Sequence, residues 1–353
     1  VRRKESLVGS SRSGIVRRAA VVAVAVATAV SCSSSTVSHA VPTSVSPAVA
    51  LTTTASTSTT VPPPLVAALA AWKLDQPWSR AVVLDDNGQL LVFSGLDAAK
   101  RSLSRVVRIN PGTGQLTAGP KLPRVVHDAA GTMLGTVALL IGGGEQETGY
   151  DNVTAVTGPR TGSDIGRLPQ PRSDLAAIAV GSTAYVIGGY DGKNLLAAVL
   201  ATDDGAAFAT VGQLDPAVRY PAVASTGGIL YVFGGKVAVG QTDAIQRFDP
   251  ATGTLRIVGH LPMPTGHAMA FVLGGTVYVA GGRVGNGDSD SANRVSADVW
   301  AFDPSSGKVD LAGTLPYAVA DAGVAVVGDQ AYIVGGETNS ADAATSSVIV
   351  LHR

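Results

Sequence analysis

The sequence predicts an all-β fold, a six-bladed β-propeller, on three observations. First, six runs rich in β-branched, aliphatic and aromatic residues each end in a small-residue doublet. They read QLLVFSG closing at Gly95, TVALLIGG at Gly143, AYVIGG at Gly189, ILYVFGG at Gly235, TVYVAGG at Gly282 and QAYIVGG at Gly336. Second, successive closing glycines lie 48, 46, 46, 47 and 54 residues apart. A period near fifty built on strand and glycine is the mark of a propeller. Third, every repeat but the last holds four strand-like pieces, the number a propeller blade requires.

Composition sets the outer limits. The 353 residues carry a formal net charge of zero, which argues against a nucleic-acid grip because that needs a basic face. Hydrophobic residues make up 46% and charged ones 15%, enough apolar surface for a large core. The 42 glycines show no three-residue period and cluster at strand ends.

The first element, residues 1–32, reads as an export signal. Arg2, Arg3, Lys4, Arg12, Arg17 and Arg18 form a basic start, and Ala19 to Val30 is a run of 12 residues that are all Ala or Val except Thr28. That run is shorter than the roughly 20 residues a membrane span needs and suits the apolar core of a signal peptide. Ala29-Val30-Ser31-Cys32 resembles the lipobox of bacterial lipoproteins, with Ala29 where leucine is usual. The resemblance implies that Cys32, the only cysteine, is lipidated and anchors the protein to a membrane. Ordinary cleavage after Ser38-His39-Ala40, giving a secreted protein, is the alternative. Residues 33–64, almost all Ser, Thr, Val, Ala and Pro, read as a disordered tether. The expected location is outside the cytoplasm, on the bacterial cell envelope.

The propeller is expected over residues 65–353. The fifth repeat shows the pattern: strands at His267 to Leu273, Thr276 to Ala280, Ala297 to Phe302 and Lys308 to Leu311. Asp303-Pro304 and Leu315-Pro316 mark strand exits, since proline cannot donate to a ladder. The second strand is apolar at nearly every position, so it is covered on both faces, as neighbouring blades would cover it. The last repeat runs out after its third strand, Ser346 to Leu351, while Leu65 to Leu74 precedes the first repeat without a blade of its own. The N-terminal segment is therefore expected to complete the last blade and remove the exposed edge.

These repeats resemble the kelch repeat. Tyr185, Tyr231, Tyr278 and Tyr332 each stand four residues before the closing glycine, with Leu91 and Leu139 in that place in the first two copies. The aromatic-Asp-Pro turn follows as Phe248-Asp249-Pro250 and Phe302-Asp303-Pro304, with Ile109-Asn110-Pro111 as a weaker copy. The outer-strand Trp usual in kelch repeats is missing from most copies.

Fifteen residues before each closing glycine stand Arg80, Asp128, Asp174, Tyr220, His267 and Asp321, all polar, in strands otherwise filled with Ala and Val. In a propeller these positions begin the innermost strand and ring the mouth of the central channel, the default ligand site. Polar lining of a water-filled channel, or capping of turn amides by Asp, accounts equally well for them. Mutual repulsion would raise the carboxylate pKa values and Arg80 would lower its neighbour's. His127, Arg172, Arg219 and Trp78 are expected to extend the rim, as are Glu145, Asp191, Lys236, Arg283 and Glu337 from the loops after the glycine doublets. The longest such loop, Arg283 to Arg294, reads as flexible, polar and partner-touching. Its Asp288 and Asp290 are spaced as in calcium loops, without the acidic residue at the far end.

A kelch resemblance also covers copper oxidases similar to galactose oxidase. Their chemistry is disfavoured here, because the one cysteine lies in the export segment and only His127 and His267 face the mouth. No zinc spacing, phosphate-cradling glycine loop or nucleophile elbow is present, and no cofactor is expected. The function read from the sequence is a monomeric binding module for a protein or glycan, acting through the mouth face. The alternative is a sugar epimerase or mutarotase-like enzyme with Asp174 and His267, or Asp128 and His127, as an acid–base pair.

Overall fold

The computed structural model describes residues 64–156, 162–338 and 341–353. The expected export signal, Cys32 and all but the end of the tether lie outside the described residues.

The described chain is all-β. Among the described residues the only helical segment is a three-residue 3-10 turn, Asp290–Ala292. An N-terminal strand β1 (Val66–Lys73) comes first. Five four-stranded antiparallel sheets follow, each in simple sequence order. The first holds β2 (Val82–Asp86), β3 (Gln89–Phe93), β4 (Val106–Ile109) and β5 (Leu116–Ala118); the second β6 (Ala130–Leu134), β7 (Val137–Ile141), β8 (Asn152–Val156) and β9 (Ser163–Arg167). The third is β10 (Ala176–Val180), β11 (Thr183–Ile187), β12 (Ala198–Thr202) and β13 (Ala209–Gln213); the fourth β14 (Ala222–Thr226), β15 (Ile229–Phe233), β16 (Ala244–Asp249) and β17 (Thr254–His260). The fifth is β18 (Met269–Leu273), β19 (Thr276–Ala280), β20 (Asp298–Phe302) and β21 (Val309–Thr314).

The sixth sheet is built from both ends of the chain. It orders β22 (Gly323–Val327), β23 (Gln330–Val334), β24 (Ser347–His352) and then β1. Val66 pairs with His352 and Leu69 with Ile349, so the N-terminal segment supplies the outer strand that the last repeat lacks. An otherwise open ladder along β24 is thereby filled.

Local sequence explains the hairpins. The first two strands of each sheet are joined by two-residue turns that begin with left-handed backbone: Asn87-Gly88, Gly135-Thr136, Gly181-Ser182, Gly227-Gly228, Gly274-Gly275 and Gly328-Asp329. Such turns match the right-handed twist of the paired strands.

The second strands are the most buried, as their unbroken apolar character requires. Leu90, Leu139, Val186, Val232, Val279 and Ile333 are all inaccessible or nearly so. Each core cluster joins one sheet to the next. Leu91 and Phe93 of the first sheet pack with Leu140 and Val156 of the second, and Phe233 of the fourth packs with Phe302 of the fifth. The last sheet also meets the first: Tyr332, Val334 and Val348 share a cluster with Val83, Leu90 and Val92. The innermost strands are neighbours in the order β2, β6, β10, β14, β18, β22, with β22 again beside β2.

Candidate functional site

The six polar positions converge. In every sheet the residue just before such a position pairs antiparallel with the residue just after the glycine doublet: Ser79 with Leu96, His127 with Gly144, Ser173 with Tyr190, Arg219 with Lys236, Gly266 with Arg283 and Ala320 with Glu337. The chain must then turn sharply to begin the innermost strand, and the residue at that turn takes left-handed backbone. Arg80, Asp128, Asp174, Tyr220, His267 and Asp321 all have φ between 51° and 58°.

Their backbones are linked to one another. The amide of Arg80 donates to the carbonyl of Asp321, Asp174 to Asp128, Tyr220 to Asp174, His267 to Tyr220 and Asp321 to His267, at 2.7 to 3.1 Å. Between Arg80 and Asp128 the link is made by side chains, with Arg80 Nη1 donating to Asp128 Oδ2 at 2.9 Å. The six side chains line a recess of about 130 Å³, room for roughly four waters at ~30 Å³ each.

One half of the mouth is tightly matched. His267 Nδ1 lies 2.6 Å from Asp321 Oδ1, and its ring stacks on Tyr220 at 3.9 Å. Burial alone would push His267 down, but the charge of Asp321 and the contacts with Asp290 and Asp321 raise it to about 9. Burial likewise opposes ionisation of Asp321, yet His267, Arg80 and Arg283 hold it well below the usual carboxylate range. Arg283 Nη2 donates to Glu337 Oε2 at 2.7 Å and Asp342 Oδ1 at 2.5 Å, and Arg80 Nε to Glu337 Oε1 at 3.1 Å. Burial and the charge of Asp321 push Glu337 up to about 7 against those two arginines.

The other half is open. A second recess of about 260 Å³ shares Asp128, Asp174 and Tyr220 with the first and adds His127, Glu147, Tyr190 and Arg219. Tyr220 Oη donates to Asp128 Oδ2 at 3.1 Å, and Arg219 Nη1 to Asp174 Oδ2 at 3.2 Å. The Arg219 guanidinium lies 4.8 Å over the Tyr190 ring. Burial, then the neighbouring charge of Asp128, raises Asp174 to about 6. His127 Nδ1 is engaged by Ser102 Oγ at 2.9 Å.

The rim requires correction at several positions. Arg172 is buried, and its Nη1 donates to the carbonyls of Gly188 and Ala198, so it ties loops together instead of facing solvent. With no acid beside it among the described residues, desolvation lowers it to about 10. Trp78 is inaccessible, with Nε1 bonded to the Ser94 carbonyl. Lys236, Arg283 and Glu337 are also buried, as members of the ion-pair network. The Arg283–Arg294 loop is not a free segment: Asn293 bonds back to Gly287 and Ser289, and Asp290 reaches Lys236. Asp191 caps its own turn through Lys193 and Asn194, and Glu145 takes a hydrogen bond from Tyr150. Tyr190 and Asp342 also join the mouth, and Asp290 reaches it from the Arg283–Arg294 loop. Among the described residues no group of three or more His, Cys, Asp or Glu is arranged to hold a metal ion.

The family model described as the KLHDC2/KLHL20/DRC7 Kelch-repeats domain matches residues 175–352. A solved structure titled "Structure of YjhT" aligns over 80% of this chain and 99% of its own, with a TM-score of 0.67 and 15% identity, a likeness of fold alone. No curated protein matches the chain.

Proposed function

Since this chain belongs to the kelch-repeat family, we propose that its work is binding, and that the channel mouth takes a neutral, polyhydroxylated ligand of the glycan class. The six sheets are read as six blades of a ring, with β1 as the strand that seals it. The pairing of β1 with β24 and the shared core of the first and last sheets support that reading.

One observation carries the choice of site. Six non-glycine residues hold left-handed backbone around a single recess, at a cost of about 1–3 kcal/mol each. The chain uses glycine freely at such backbone elsewhere, so glycine would serve these turns more cheaply. Side chains are kept there at the expense of stability, which is how functional sites differ from cores. The class of ligand follows from the open half. Its partners are hydroxyl, carboxylate and guanidinium groups beside the Tyr190 ring, with few apolar walls. Cations and anions at the mouth are matched through ion pairs, which favours an uncharged guest rich in hydroxyl groups.

The protein is further proposed to act outside the cytoplasm as a monomer, lipid-anchored at Cys32 and lifted from the membrane by the tether. The basic start and the Ala19 to Val30 run support this. Labelled palmitate should enter the wild type and not Cys32→Ser.

The binding reading is tested by a thermal-shift panel of neutral mono- and oligosaccharides on the full chain. A ligand at 100 times its Kd adds about 2.7 kcal/mol, a shift of several degrees. The shift should vanish in Tyr220→Phe and Asp174→Asn. A panel without any shift, or shifts unchanged in both variants, overturns the reading.

A further inference from the structure

Three buried cations at the mouth belong to the repeating part of the fold. Lys236 and Arg283 follow the glycine doublets of the fourth and fifth sheets, and His267 is a ring residue. All three are more than nine-tenths buried. The acid that meets them comes from elsewhere. Asp290 sits in the 3-10 turn of the Arg283–Arg294 loop, which contributes no buried residue in that turn. Its Oδ1 lies 2.6 Å from Lys236 Nζ and 3.3 Å from His267 Nε2, while Arg283 Nη1 reaches its backbone carbonyl at 3.4 Å.

The partners on each side are unequal. His267 also has Asp321, and Arg283 has Asp321, Glu337 and Asp342. Lys236 has Asp290 as its sole ion pair among the described residues. Lifting the turn would leave a buried ammonium unmatched, which is costly unless another anion replaces the one removed. No residue of the turn is buried, and it is held to the ring by the Asp290 carboxylate on Lys236 and the Asp290 carbonyl on Arg283.

We propose that Lys236 and His267 form a carboxylate site on the ring that the protein keeps shut with its own Asp290, and that a ligand carboxylate opens it by taking the place of Asp290. The guest class is a sugar acid of the uronate type, because the site adjoins the hydroxyl-binding half of the same mouth through Tyr220, which stacks on His267. No bond is made or broken; one carboxylate replaces another. The uronate class rests on the neutral-glycan reading, whereas the exchange of carboxylates at Lys236 and His267 does not, and the acetate test reads that exchange separately.

The test is chemical rescue. Asp290→Ala in the full chain should melt below the wild type, and sodium acetate should raise its Tm while equal sodium chloride does not. The wild type should show no acetate-specific shift, and adding Lys236→Met to Asp290→Ala should abolish the rescue. In titrations, glucuronate should bind Asp290→Ala at least tenfold more tightly than wild type, with glucose unchanged between them. Equal rescue by acetate and chloride, or equal glucuronate affinity in wild type and Asp290→Ala, overturns the proposal. If glucose binds neither protein yet acetate rescue holds, the neutral-glycan reading falls and the carboxylate site stands.

Discussion

His267 offers a prediction whose size can be worked from the structure. Its imidazolium lies between Asp321 and Asp290, and its pKa is raised from 6.5 to about 9 despite full burial. At 1.36 kcal/mol per unit, the proton held in the folded state is worth about 3 kcal/mol. The folded value lies above the unfolded one. The stabilisation is therefore complete below about pH 6.5 and is lost as pH rises through 9. The assay is urea unfolding of wild type and His267→Gln at half-unit steps from pH 6 to pH 10. Glutamine keeps hydrogen bonding but cannot take a proton, so the difference between the two curves isolates this group. Wild type should lose about 3 kcal/mol relative to the variant across that window. Parallel curves would refute the assignment of an imidazolium at the mouth.

Three further outcomes follow. Asp174, raised to about 6, contributes stability that is present below its unfolded value and is lost as pH rises through 6, so Asp174→Asn should gain stability relative to wild type at pH 8 and not at pH 4, measured by the same denaturation. Deleting Leu65 to Leu74 strips β24 of its partner strand, and the full-length and shortened chains should differ in the cooperativity of thermal unfolding; unchanged cooperativity would refute closure by β1. Gly335→Ala should cost at least about 1–2 kcal/mol from left-handed backbone and more from the Trp78 carbonyl its Cβ would strike, whereas Gly88→Ala, also left-handed but facing open space, should show only the first cost.

Much of the architecture was legible because it rests on backbone rules that repeat. Glycine suits the doublets because Gly335 and its equivalents turn with positive φ against the backbone of the neighbouring sheet, and only in the first repeat does Ser94 take that place, at φ 61°. Counting back from them located Arg80, Asp128, Asp174, Tyr220, His267 and Asp321, because a fixed hairpin separates each pair. The expected strand Thr276 to Ala280 appears, and within Leu65 to Leu74 the strand Val66–Lys73 pairs with β24.

What stayed hidden depends on side-chain direction and loop course. Arg172 stands two residues before its ring residue and Arg219 one, and this single-residue offset sends Arg172 inward to two carbonyls while Arg219 reaches Asp174. Asp290 and Asp342 lie in loops of unequal length, outside the repeat's register, so no count from a glycine finds them. A signal for the left-handed backbone was present and unused: four of the six ring residues are Asp or His, types enriched at positive φ. Composition also could not show that Lys236 pairs with Asp290 and Arg283 with Glu337 in the interior, since that balance exists only after the loops meet.

The central claim is that the open half of the mouth holds the ligand. Hydrogen–deuterium exchange of the full chain, with and without the saccharide that gives the largest thermal shift, tests it most directly. Slowed exchange should concentrate at residues 127–128, 144–149, 173–174, 190–192 and 219–220, the backbone around the second recess. Protection confined to the outer strands β5, β9, β13, β17 and β21, with the mouth unchanged, would contradict it.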